Sequence, residues 1–229
     1  MIAAMAPRAI LLDALGTLVD LEPPVPVLIA LMRERHGVEI APDDARRAMA
    51  AEMAHYREWC IRAADAASLA ALRRECAEIV ARALGAGVAA ADLEPTLLDS
   101  LRFRAFPEAP AALARWRAAG VRLVVASNWD VSLHAVLAQI GLRELLDGVT
   151  TSAEVGVAKP GAELFEAALA IAGVPAAAAL HVGDSLEADV AGALGAGIAA
   201  AWLRRAPGAG RAPDGVPVIA SLDELVLAP

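Results

Sequence analysis

Six short apolar runs, set between stretches of helical period, constrain this chain more than anything else in it. They read AILLD (9–13), VRLVVAS (121–127), GVTTS (148–152), AALHVGD (178–184), GIAAAWL (197–203) and, more weakly, VPVIA (216–220). Apolar runs of this length, bounded by turn signals, are strands. The segments 108–119, 131–140, 161–172 and 187–195 carry the helical period instead. Strands that are apolar on both faces need cover on both faces. The expected fold is therefore α/β, a Rossmann-like doubly wound parallel sheet.

Residues 24–104 break this rhythm. PPVPVLIALMRERHG, PDDARRAMAAEMAHYREWC, DAASLAALRRECAEIVARALG and DLEPTLLDSLRF each show helical periodicity, with Pro, Asp or Gly near their ends. No strand is evident among them. The expected organisation is an α/β core of 1–20 and 105–229, with an all-helical cap, 21–104, inserted after the first strand. In open parallel sheets ligands bind beyond the carboxyl ends of the strands, so the cap is expected to cover the site opened by Asp13. APGAGRAPDG (206–215) reads as a surface connection.

Composition removes several function classes. The net charge of −8 is the wrong sign for a protein that neutralises nucleic-acid phosphates. The hydrophobic fraction of 58% comes largely from Ala, and no window offers about 18 uninterrupted apolar residues, so no membrane span is expected. Arg8 and Asp13 interrupt the apolar start before it resembles a signal peptide. Cys60 and Cys76 match neither a disulfide framework nor a zinc pattern, which suits a reducing cytoplasm. Small molecules are the expected partners.

The strand ends hold the chemistry. The first run stops at Asp13, with Gly16 and Thr17 just beyond; the second stops at Ser127 and Asn128, with Trp129 next. Lys159 and Pro160 follow TTSAEVGVA, and GDSLEAD carries Asp184 and Asp189. Each alone suits an ordinary cap or turn. Yet of 20 basic residues only Lys159 is a lysine, and Asn128 is the only asparagine. A chain that uses Arg wherever charge suffices has kept a compact ammonium at one strand end.

This combination resembles the haloacid dehalogenase (HAD) superfamily, in the branch with a helical cap after the first strand. LLDALGTLVD, VVASNWD, VAKPGAELF and HVGDSLEAD stand in the order of its four motif regions, and the later half looks most like the phosphatase members. The resemblance implies Asp13 as nucleophile and a magnesium ion held by Asp13, the main-chain carbonyl of Leu15 and Asp184, with Asp189 as a further ligand or support. Thr17, Ser127, Asn128 and Lys159 are then expected to meet the phosphoryl group, and Trp129 to flank the pocket. Three acids against one lysine would repel a phosphate dianion, and a hard divalent cation relieves that.

The first motif is altered. The family's phosphatases carry an acid two residues beyond the nucleophile; here that position is Leu15. General acid–base help of that kind is worth about 10²–10⁴-fold. The preferred reading is a magnesium-dependent phosphatase suited to leaving groups that need no proton, such as aryl phosphates or mixed anhydrides. Asp20, Glu22, His55 or Glu58 are alternative proton sources. A dehalogenase-like enzyme also dispenses with that acid, but its carboxylate substrate would meet the acidic GDSLEAD set. The third alternative is a binding or regulatory protein that keeps the fold without turnover.

In the cap, AHYREWCIR (54–62) gathers His55, Tyr56, Arg57, Trp59 and Arg62. A packed amphipathic face with solvated arginines is favoured there over a substrate-selecting one, and Arg33 and Arg35 are read alike. His181, inside a strand, is read as a sheet histidine.

Overall fold

The computed structural model describes residues 7–206 and 210–227. The chain forms two compact units. One runs to Asp20 and resumes at Ala105; the other is Leu21–Arg104.

The first unit starts with β1 (Ala9–Leu12), every residue of which is wholly buried. The chain continues into β2 (Val19–Leu21), then the helical unit, then β3 (Phe103–Ala105). The helical unit consists of α1 (Pro24–His36), α2 (Pro42–Trp59), α3 (Ala66–Leu84) and α4 (Ala90–Ser100). Its core joins Leu28 and Met32 to Met49, Leu72, Val80, Leu93 and Leu97. Asp65 and Ser68 cap the start of α3 reciprocally, each side chain accepting the other's backbone N–H.

The strands β2 and β3 pair as a two-stranded sheet, a feature the sequence pattern does not reveal. Each has only three residues, and SLRF continues the helical period of the segment before it. Pairing across a long insertion leaves no local signal.

After β3 the core alternates as its period demands: α5 (Ala109–Ala118), β4 (Arg122–Ser127), α6 (Leu133–Gln139), β5 (Gly148–Thr151), α7 (Ser152–Val155), α8 (Ala162–Ala172), β6 (Ala179–Gly183), α9 (Gly192–Gly195), β7 (Ala199–Leu203) and β8 (Val218–Ile219). The six-stranded sheet has the order β5-β4-β1-β6-β7-β8, parallel throughout. Strand β1 pairs with β4 on one side and β6 on the other, so the connections diverge at its carboxyl end. That is the switch point where α/β sheets bind ligands.

Both sheet faces are covered. Ala9, Leu11, Val124 and Ala126 pack with Leu164, Phe165 and Ala168 of α8 and with Ala193 of α9. Ile10, Leu12, Leu123 and Val125 on the other face are equally buried, and α5 packs against β4. Fully burying one such aliphatic side chain contributes about 1.5–3 kcal/mol, enough to hold the sheet's register against slippage.

The segment 187–195, expected as one helix, begins instead as a π-helical turn, Leu186–Ala191. The Val190 N–H reaches back five residues to the Ser185 carbonyl, at 3.1 Å. Such turns are frequent at functional sites. Residues 207–209 of the expected surface connection lie outside the described part, as do residues 1–6 of the apolar start. Among the described residues no helix is long and apolar enough to cross a membrane.

Candidate active site

Sheet register decides which strand ends meet. Leu12 lies opposite Val125 and Val182, so Asp13, the residues after β4 and those after β6 emerge side by side. The Asp13 N–H donates to the Val182 carbonyl at 3.0 Å, which extends the ladder by one residue and sets where the carboxylate begins.

Lys159 is the centre of this arrangement. It is 5% exposed, and its ammonium donates to Asp13 Oδ1 at 2.7 Å, Asp189 Oδ1 at 2.6 Å and the Ala126 carbonyl at 2.8 Å. An ammonium has three N–H groups, and all three are spent. Burial alone would lower the Lys159 pKa, but the adjacent Asp13 and Asp189 carboxylates outweigh it and raise the value above the ordinary one.

Asp13 is 7% exposed and also accepts from the Ser127 hydroxyl at 3.0 Å. Both bonds end on Oδ1; among the described residues none ends on Oδ2. Burial lifts its pKa, against the pull of Lys159.

Asn128 is exposed, and its amide also bonds across to the segment that carries Lys159. Its Oδ1 accepts the Lys159 N–H at 2.7 Å and its Nδ2 donates to the Lys159 carbonyl at 3.0 Å. It clasps the lysine backbone and so aims the ammonium. Trp129 is not an open pocket wall: it is 5% exposed, and its carbonyl accepts from the Ser152 hydroxyl and the Ala153 N–H. Thr17 is sealed from solvent, with a hydroxyl that has no partner among the described residues.

Asp189 is saturated. Its Oδ1 accepts from Lys159 and from His181 Nε2 at 2.9 Å, and its Oδ2 from the Ser185 N–H at 2.8 Å. Burial opposes its ionisation, but Lys159 and His181 prevail and hold its pKa well below the usual range. Asp189 thus anchors the Lys159 ammonium. Gly183 makes the room: a Cβ there would lie 2.1 Å from the Asp189 Cγ. His181 is buried in β6, edge-on to Phe165 at 5.1 Å.

Asp184 differs. Burial, then the Asp13 and Asp189 charges, push its pKa up to about 6. Its carboxylate lies against the backbone of Gly16, where a Cβ would come within 2.3 Å of Oδ2 and where φ is +84°. Only glycine tolerates both conditions. The Trp202 indole holds the Asp184 carbonyl at 2.8 Å.

A cation fits these residues. Carboxylate oxygens of Asp13, Asp184 and Asp189 lie within 4.8 Å of one another. In the loop after Asp13 the carbonyls of Ala14, Gly16, Thr17 and Leu18 all accept hydrogen bonds. Among the described residues no donor reaches the Leu15 carbonyl. Carboxylate oxygens so grouped form a hard oxygen set, suited to Mg²⁺ more than to softer metals.

In the helical unit five of the side chains singled out from sequence pair within that unit. His55 meets Glu75 at 3.0 Å, Arg62 stacks over Trp59 at 3.4 Å, Arg35 pairs with Asp99 and Arg33 with Glu39.

A doubly wound sheet with a helical insertion after β1, and an Asp–Lys–Asp cluster at its switch point, defines a Rossmann-like hydrolase core of the haloacid dehalogenase type. The chain belongs to that family: residues 7–197 match the model for haloacid dehalogenase-like hydrolases. It is 41% identical over 90 residues to haloacid dehalogenase-like hydrolase domain-containing protein 3 of Bos taurus, covering 39% of this chain and 36% of that protein. It is 39% identical over 105 residues to a phosphoserine phosphatase of Thermus thermophilus, covering 45% of this chain and 42% of that one. The matches thus span less than half the length of these relatives. The HAD phosphatase structure from Thermococcus onnurineus shares the fold, with a TM-score of 0.65, 24% identity and 95% of each chain covered.

Proposed function

We propose that the protein is a magnesium-dependent phosphohydrolase of the cytoplasm, with Asp13 as nucleophile, acting on small phosphate esters or anhydrides. The observation that supports this best is the excess of negative charge at the switch point. Asp13, Asp184 and Asp189 gather around one lysine, and burial together with the Asp13 and Asp189 charges pushes Asp184 up to about 6. Asp13, Asp184 and the Leu15 carbonyl would hold Mg²⁺, which when bound offsets the charge of an incoming phosphoryl group. The phosphoserine phosphatase relative agrees with this reaction class.

The residues of the chain divide the work. Lys159 and Ser127 fix Asp13 Oδ1, leaving Oδ2 to form the bond to phosphorus. As that bond forms, the bond from phosphorus to the leaving oxygen breaks and its electron pair stays with that oxygen. Water then attacks the phosphorus of the aspartyl-phosphate, releasing phosphate and regenerating Asp13. Leu15 has no proton to deliver, so leaving groups that are stable as anions react best. A dehalogenase reading is disfavoured because the same negative charge repels a carboxylate substrate.

The test is release of nitrophenol from nitrophenyl phosphate, with and without Mg²⁺, by the wild type and by Asp13→Asn. Release that needs both the cation and Asp13 supports the reading. Release by the variant at the wild-type rate, or halide release indifferent to chelator, rejects it.

A further inference from the structure

The tip of β7 contributes no acid to the cluster, yet it is bonded to both loops that do. Trp202 holds the main chain of Asp184, and three residues on Arg205 reaches the loop after Asp13. Strand β7 neighbours β6 and not β1, so this side chain spans the intervening strand end. Its Nε donates to the Gly16 carbonyl at 2.9 Å and its Nη2 to the Thr17 carbonyl at 2.7 Å. Its Nη1 donates to Glu108 Oε1 at 2.5 Å, and the guanidinium lies 3.5 Å above the Phe106 ring. Glu108 stays ionised: despite its partial burial, the Arg205 hydrogen bond holds its pKa below the ordinary value.

Among the described residues, two of the five loop carbonyls, those of Gly16 and Thr17, are satisfied by this one side chain. The Ala14 carbonyl is taken by the N–H groups of Thr17, Leu18 and Val19, and that of Leu18 by Phe106. Leu15 is left as the bare main-chain oxygen in a loop whose next residue packs on the Asp184 carboxylate. We infer that Arg205 is a positioning residue: its fork fixes the Gly16–Thr17 turn and so presents the Leu15 carbonyl, together with Asp184, as a preformed cation seat. Lysine cannot substitute. A point ammonium does not reach two successive carbonyls and a carboxylate while lying flat on an aromatic ring.

This inference rests on the cation of the proposed function, and its test keeps the two apart. Mg²⁺ binding is measured by calorimetry at pH 7.5 for the wild type, Arg205→Lys and, as control, Arg115→Lys. Arg115 ties down the Leu222 carbonyl and Asp223 by similar bonds elsewhere in the core. The expected result is Mg²⁺ affinity at least about tenfold weaker in Arg205→Lys and unchanged in Arg115→Lys, with similar losses of thermal stability in the two. A folded Arg205→Lys that binds Mg²⁺ within twofold of wild type overturns the positioning role. Wild type that binds no Mg²⁺ removes the cation itself, and this inference with it. Should Arg205→Lys not fold, hydrogen exchange on the wild type decides. Protection at Thr17–Val19 that is already present without metal and unchanged by Mg²⁺ supports a seat built by the protein; protection that appears only with Mg²⁺ overturns it.

Discussion

Lys159 and Asp13 form a buried ion pair of 2.7 Å in which the same ammonium also holds Asp189 at 2.6 Å. One positive charge thus sits between two largely buried carboxylates, of which Asp13 is the more exposed.

Removing that charge should expose its structural share. Breaking a buried pair by deleting one partner costs about 3–5 kcal/mol, because the remaining charge is uncompensated. Lys159→Met is expected to lose stability of that order at pH 8 in urea unfolding. The loss should shrink as pH falls from 8 to 5, because burial already raises the Asp13 pKa and a proton there offsets the missing positive charge. Equal stability of variant and wild type at both pH values would refute the pairing.

Leu15→Asp restores an acid two residues beyond Asp13. Turnover of alkyl phosphates is expected to rise by about 10²–10⁴-fold, with a much smaller change for nitrophenyl phosphate, whose leaving group needs no proton. Steady-state rates on the two substrates provide the comparison. A uniform change on both would mean that proton delivery is not what limits the enzyme.

Asp184 sets a pH dependence. Its folded value of about 6 stands above the ordinary 3.8, so the folded protein holds this proton more tightly than the unfolded chain does. Its contribution to stability is therefore full below pH 3.8 and is lost as pH rises through about 6. Protons compete with the cation over the same window. Mg²⁺ should raise the melting temperature clearly at pH 7.5 and progressively less below pH 6. An Mg²⁺ effect as large at pH 5 as at pH 7.5 would contradict this.

Gly183→Ala places a methyl group where Asp189 lies, 2.1 Å from its Cγ. Asp189 must move, and Lys159 with it. A melting temperature lower by several degrees and a large loss of activity are expected. The control is Gly195→Ala, which meets nothing within 4 Å and should leave both unchanged or slightly raise stability. Similar behaviour of the two variants would show that the close approach at Gly183 is unimportant.

What lay open in the sequence was whatever is written locally. Apolar runs and helical periods marked the core strands, because a two-faced buried sheet needs continuous aliphatic residues. The rarity of Lys159 and Asn128 singled them out, since a chain rich in arginine makes its exceptions visible. Arg205 was hidden for the converse reason: it is one of 19 arginines, although AWLRR ends its apolar run on charge just as the other strand tips do. The strands β2 and β3 were hidden because their pairing spans the whole insertion.

The amino-acid order by itself determined the parallel sheet and which side chains stand at its strand ends, because periodicity and turn chemistry act over a few residues. Tertiary structure alone decided their partners. Asn128 turns to the Lys159 backbone, Asp189 to the ammonium, and the Gly16–Thr17 turn to Arg205. Hydrogen bonds between distant segments are settled by register and packing, which no local stretch of sequence encodes.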